Sequence, residues 1–371
     1  MEFAVFLVVV AIAYANGAND SFKGVATLYG SGASSYRTAL VWAVLTTLAG
    51  SLFAGIFAGS LVETFSGAGL VPDAVLSSPP FMVSVALGAA ITVFLTALLG
   101  VPISTTHALT GALVGAGLSG AGSNINFSVL QDKFLLPLAV SPIVAIVLIA
   151  LLFPLLRGIA RRLGLTQTSC ICVSAVDPLP AGGLSRRDGV LAAGSRELLV
   201  VQGDSAFCAP EPAIGSTWKI ELGPILRKLH FLSAGAVSFA RGTNDTPKIA
   251  GIAVLSQAFD LQISIVAIAL AMAIGGLLHS SKIARTMSSR ILSFDEAEGT
   301  VANLVTSFLV IAASRLGLPV STTHVAVSSL FGLGIVKGNA HWPTIGGIAF
   351  SWVLTLPVAA LLAQLLMSIL M

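Results

Sequence analysis

Apolar residues fill this chain in long blocks broken by short polar punctuation, which is the pattern of membrane spans and not of one-sided helices or alternating strands. Residues 38–62, 81–99, 134–156, 261–279 and 343–370 each approach the ~20 apolar residues that a bilayer core requires. The first block, 3–15, is cut short by Asn16-Gly17-Ala18-Asn19-Asp20. A second short segment, 21–30, contains Lys23 and completes one interrupted span. Residues 231–256 repeat that plan around Arg241-Gly242-Thr243-Asn244-Asp245-Thr246-Pro247-Lys248, and 300–314 make a short span. Only 163–229 reads as water-facing. It is rich in Gly, Pro, Ser and charge, with β-prone runs such as Glu197-Leu198-Leu199-Val200-Val201. The pattern predicts an all-α polytopic membrane protein with broken helices or re-entrant elements. A first membrane repeat (1–156) and a second (230–371) flank a small insert (157–229) with a few short strands.

One phrase is written twice. Residues 100–107 read Gly-Val-Pro-Ile-Ser-Thr-Thr-His, and residues 317–324 read Gly-Leu-Pro-Val-Ser-Thr-Thr-His. A Pro followed by three hydroxyl residues continues a helix poorly and starts one well. Pro fits the first turn, and Ser or Thr caps its free N–H groups. The expected elements are helices 103–119 and 319–334. A helix start inside a membrane offers N–H groups, hydroxyls and the positive end of the dipole, which suits an oxyanion. Paired breaks in two halves point to the binding site of a transporter. A duplicated kink is the plain alternative, but a kink does not require an identical Ser-Thr-Thr-His in both copies.

Composition agrees: 56% of the residues are hydrophobic and only 9% charged, against about 25% charged in soluble proteins. A net charge of +3 is too small to suggest nucleic acid. Met1-Glu2-Phe3 carries no basic residue, so a cleaved signal peptide is not expected. The three cysteines, Cys170, Cys172 and Cys208, all lie in the insert; their odd number fits a reducing compartment and no disulfide framework. The insert has no His, and three thiols at this spacing match no common metal site. Neither a metal nor a cofactor is expected.

Charge placement orients the halves. The loop 63–80 carries only Glu63 and Asp73, whereas its counterpart carries Lys282, Arg285 and Arg290. Arg37 in the first half stands where the second has Asp260. Basic loops stay cytoplasmic, so the halves are inverted and Arg157, Arg161, Arg162 and the insert are cytoplasmic. Counting each interrupted element as one crossing gives ten, with both termini outside the cell.

Two Gly-X-Asn-Asp phrases and two Pro-X-Ser-Thr-Thr-His phrases in inverted halves resemble the PiT family of inorganic phosphate transporters. The resemblance covers both membrane halves and not the insert. It implies a homodimer in the cell (inner) membrane that takes up inorganic phosphate with sodium or protons. It also implies phosphate bound near the midplane by Ser104, Thr105, Thr106, Ser321, Thr322 and Thr323. The Asn-Asp phrases, Asn19, Asp20, Asn244 and Asp245, then supply cation-linked carboxylates. Sodium-coupled members usually carry an amide three positions after the Asp. Here both copies carry a lysine, Lys23 and Lys248.

That departure has a physical reading. Phosphate brings one to two negative charges, and hydroxyls and helix ends cannot match a full charge in a low-dielectric site. Two ammonium groups can. Lys23 and Lys248 are expected where relatives hold sodium, with Asp20 and Asp245 as the proton-titrating groups or with no coupling ion at all. Plain buried ion pairs are the alternative. Arg241, at the position matching Asn16, is either a third anion contact through its guanidinium fork or a residue at a helix end. His107 and His324 are expected to pack the turn, with a proton-carrying role as the alternative. A sulfate or other oxyanion permease, or a sodium symporter, would use the same groups. A hydrolase built on Ser104 and His107 is not expected, because symmetry doubles the pair. No Walker motif is present, so ATP drive is not expected either. Buried binding groups in inverted repeats favour alternating access over a channel.

Overall fold

A computed structural model describes residues 2–57, 59–176, 197–204 and 217–371. The chain divides into two compact units, Met1–Pro154 with His230–Met371, and Leu155–Leu229. Among the described residues, seven helices are long and apolar enough to cross a membrane.

The first motif helix, Glu2–Asp20, ends at its Asn-Asp phrase. A tight turn of helix, Lys23–Val25, and Ala26–Gly30 carry the chain onward. This is the interruption that the sequence predicts. The second motif helix, Leu222–Ser256, runs unbroken through the same phrase despite Pro247, so the expected second interruption is absent. Pro247 removes one backbone donor, yet the helix continues beyond it to Ser256.

The helix Pro79–Leu99 starts on Ser78, whose hydroxyl accepts from the Phe81 amide with Pro79 in the first turn. It stops at Gly100 in the left-handed region (φ 74°), which reverses the chain into the first tip helix, Thr105–Ala121. In the second half, Glu296–Arg315 starts on a reciprocal capping box between Asp295 and Glu298. It turns at Gly317 (φ 67°) into the second tip helix, Thr322–Lys337. Lys337 closes this hairpin at its base, donating to Glu298 Oε2 (2.7 Å) and the Ser293 carbonyl (3.0 Å). Each Ser-Thr-Thr-His phrase therefore sits at the apex of a helical hairpin. The ten-crossing count rested on one crossing per interrupted element, and the hairpins alter it.

Close helix crossings lock the two halves together. Gly17 lies on the Met272 carbonyl, and its counterpart Gly242 lies on the carbonyl of Thr47, the counterpart of Met272. A Cβ at either glycine would occupy the carbonyl oxygen's place, so only Gly permits the approach. The helices Tyr36–Phe57 and Leu261–His279 supply these partner faces. The charged stretch of the second half, expected as loop, contains a helix, Ser281–Ser289. Helices also reach further than expected around the polar stretch 120–133, where Phe127–Val129 and a wide turn, Leu130–Leu135, lead into Leu136–Arg162.

The second unit holds a three-stranded antiparallel sheet in the order β2–β1–β3, with β1 Ser169–Val176, β2 Glu197–Asp204 and β3 Thr217–Glu221. The β-prone run at 197–201 is β2. Side chains alternate across the sheet: Cys170 is buried, whereas Ile171 and its register partner Ile220 are exposed. Cys208 lies outside the described residues.

Candidate functional site

The two apices build the same local structure. Ser104 Oγ accepts from the His107 amide (3.1 Å), and Ser321 Oγ accepts from the His324 amide (3.2 Å). Each tip helix thus starts deep inside the unit with its remaining N–H groups and positive dipole end buried beside Thr105, Thr106, Thr322 and Thr323.

Each lysine reaches across from one half to the other. Lys23 Nζ donates to the Ile103 carbonyl (2.7 Å), just before the first motif, and to Thr323 Oγ1 of the second (2.6 Å). Lys248 Nζ donates to the Val320 carbonyl (2.5 Å), just before the second motif, and to Thr106 Oγ1 of the first (2.8 Å). Thr323 Oγ1 in turn donates to the Ile103 carbonyl (2.9 Å) and Thr106 Oγ1 to that of Val320 (3.3 Å). The pattern is reciprocal in every member. An unpaired ammonium is costly in a low-dielectric interior, and these acceptors together with the carboxylates satisfy both.

The carboxylates lie one turn before the amines, as the spacing requires. Lys23 pairs with Asp20 and also donates to Asn19 Oδ1 (2.6 Å). Lys248 stands 3.5 Å from Asp245 Oδ1, a looser pair. Asp20 Oδ2 accepts from Thr105 Oγ1 (3.0 Å) and Asn16 Nδ2 (2.9 Å). The same Asn16 amide reaches Asp245 Oδ2 (3.3 Å), so it bridges the carboxylates of both halves. Asn19 and Asn244 brace the extended strands before the apices, Nδ2 of each donating to Val101 (3.3 Å) and Val320 (3.2 Å) carbonyls.

Every residue that the sequence singled out for substrate or coupling is buried in this cluster or beside it. Arg241 does not lie at a helix end: it sits within Leu222–Ser256 and is 1% exposed. His107 and His324 meet, with ring centroids 4.4 Å apart, and Trp352 stacks on His324 at 3.9 Å. That is the packing arrangement expected of them. Among the described residues, no group of three or more His, Cys, Asp or Glu side chains has metal-holding geometry.

Four participants are not legible in the sequence. Asn16 was noted only as the counterpart of Arg241, and its bridging of two carboxylates needs the fold. Ser314 Oγ donates to Asn244 Oδ1 (3.1 Å), but its counterpart is Ala97, so no repeat marks it. The Ile103 and Val320 carbonyls are main-chain groups, invisible to a search by residue type.

A profile of the phosphate transporter family matches residues 16–363. A chain of Rhizobium meliloti named "Probable low-affinity inorganic phosphate transporter" is 28% identical over 364 residues, covering 95% of this chain and 91% of that one. A chain of the same name in Bacillus subtilis is 26% identical over 378 residues, covering 97% and 95%. Among solved structures, one titled "The sodium-dependent phosphate transporter" matches with a TM-score of 0.76, covering 100% of this chain and 98% of that chain at 18% identity. That likeness carries the fold. The chain belongs to the phosphate transporter family.

Proposed function

From this family membership, we propose that the protein moves inorganic phosphate across the cell membrane by alternating access, coupled to protons or to no cation, and without sodium. The observation that carries the reading is the reciprocal lysine pair. Each ammonium touches the hydroxyl of the opposite tip and the carbonyl of its own, so both positive charges stand where an anion held by the two tips would need them.

Phosphate would replace the lysine–threonine contacts with its own oxygens. The Thr106 and Thr323 hydroxyls, the amides of the tip helices and the two amines are the donors. Serines 104 and 321 hold the caps and orient those amides. Asp20 and Asp245 balance the amines between cycles and accept the proton that phosphate carries and sulfate lacks. The preference for phosphate over sulfate rests on that proton. The excess of basic residues in the loop after Leu261–His279 and after residue 156 supports a cytoplasmic insert.

Uptake of labelled phosphate into proteoliposomes tests the reading, with sodium replaced by choline and with sulfate and arsenate as competitors. Uptake persists in choline, arsenate competes and sulfate does not. A steep requirement for sodium would return the chain to sodium symport.

A further inference from the structure

The two motif helices differ at one central position. In the first, Asn16 stands one turn before Asp20 and spends its amide on both carboxylates. In the second, the counterpart is Arg241, one turn before Asp245 and two before Lys248 on the same face. Arg241 is 1% exposed, and its Nε, Nη1 and Nη2 find no hydrogen-bond partner among the described residues. It lies in the electrostatic field of both Asp20 and Asp245 without touching either. An always-charged, five-donor fork buried without acceptors is costly, and the first half fills the same position with a neutral amide.

Its charge changes the site. Two carboxylates face two ammoniums and this guanidinium, which leaves one positive charge in excess inside the membrane. We infer that Arg241 is the anchor of the transported anion: its fork takes two oxygens of the bound phosphate, draws the anion off the pseudo-two-fold axis towards the second half, and supplies the countercharge that removes the need for a co-bound cation. The inference rests on the phosphate reading above and adds to it the position of the anion and the group that sets the charge.

The test uses the purified full chain in sodium-free choline buffer, titrated with inorganic phosphate, reading both Kd and thermal unfolding. Wild type binds and is stabilised. Arg241→Asn, which copies the first half, and Arg241→Gln weaken phosphate binding by at least about tenfold, the scale of a lost charge-assisted pair of hydrogen bonds. Their Tm without phosphate is unchanged or higher, because an unpartnered buried charge has gone. Arg241→Lys keeps the charge, loses the fork and falls between. Unaltered phosphate affinity in the neutral variants overturns the inference whatever their Tm, and a lower Tm beside it would make Arg241 a structural countercharge. If neither neutral variant folds, wild-type affinity in Arg241→Lys overturns it instead. Failure of the wild type to bind phosphate would remove the transport reading itself.

Discussion

The two halves meet at one site with the same apical phrase, yet the side chains beneath and beside each apex differ. The first is held from below: Lys282 Nζ donates to the Leu98 carbonyl (2.7 Å) and Thr286 Oγ1 to that of Gly100 (2.8 Å), the last carbonyls before the turn. Its flank is filled by Tyr14, Phe94 and His279, with the tyrosine hydroxyl 2.6 Å from His279 Nδ1. The corresponding flank of the second apex carries Phe239, Ile311 and Ala54, and these line a cavity of about 50 Å³ that also reaches Thr243 and Ser314. Duplication preserved the grip, and divergence changed the side chains that surround each apex.

Six substitutions break or sharpen that comparison. The largest effect belongs to the lysines. Removing one partner of a buried ion pair costs about 3–5 kcal/mol. Lys23, with its Asp20 pair and the Asn19 contact, has more to lose than Lys248, whose carboxylate is 3.5 Å away. Lys23→Asn therefore lowers Tm and choline-supported uptake more than Lys248→Asn; the reverse order would break the assignment of the tighter half. Next come the crossings. Gly17→Ala and Gly242→Ala each overpack a helix contact by about 1–3 kcal/mol. Their thermal shifts match if the crossings are true counterparts, and a mismatch would unseat the pseudo-symmetry there. Thr286→Val leaves the Gly100 carbonyl short of a donor, at about 1–3 kcal/mol. Amide hydrogen exchange at the first apex then rises above that of the wild type. Smallest is Tyr14→Phe, which installs the residue that the second half already has. It removes one hydrogen bond of about 0.5–1.5 kcal/mol, and the readout is faster exchange around 94–99 with little change in Tm.

Sequence reading reached the grip because that part is repeated. Lys23 with Lys248, Asp20 with Asp245 and the two Ser-Thr-Thr phrases are visible as pairs, and the structure brings each pair into one cluster. Helix breaking was read well where Gly100 and Gly317 turn the chain, since a Gly-X-Pro before hydroxyl residues has a local cause. It was read poorly at Asp245, where the same phrase as at Asp20 lies inside an unbroken helix. Local sequence around Pro247 cannot report that thirty-odd helical residues flank it. Whatever is not repeated stayed hidden: Ser314 opposite Ala97, the His279–Tyr14 contact opposite Ala54 and Phe239, and the helix Ser281–Ser289, which its charges disguised as loop. The partnerless state of Arg241 is likewise a property of packing, not of composition.

The proposed grip is two apices and two amines around one anion. A structure determined with bound arsenate, located by its anomalous signal, tests this most directly. The predicted result is a single tetrahedral site within hydrogen-bond distance of Thr106, Thr323, Lys23 Nζ and Lys248 Nζ, with no metal ion beside Asp20 or Asp245. An anion bound away from the apices, or cations on both carboxylates with the amines displaced, would contradict it.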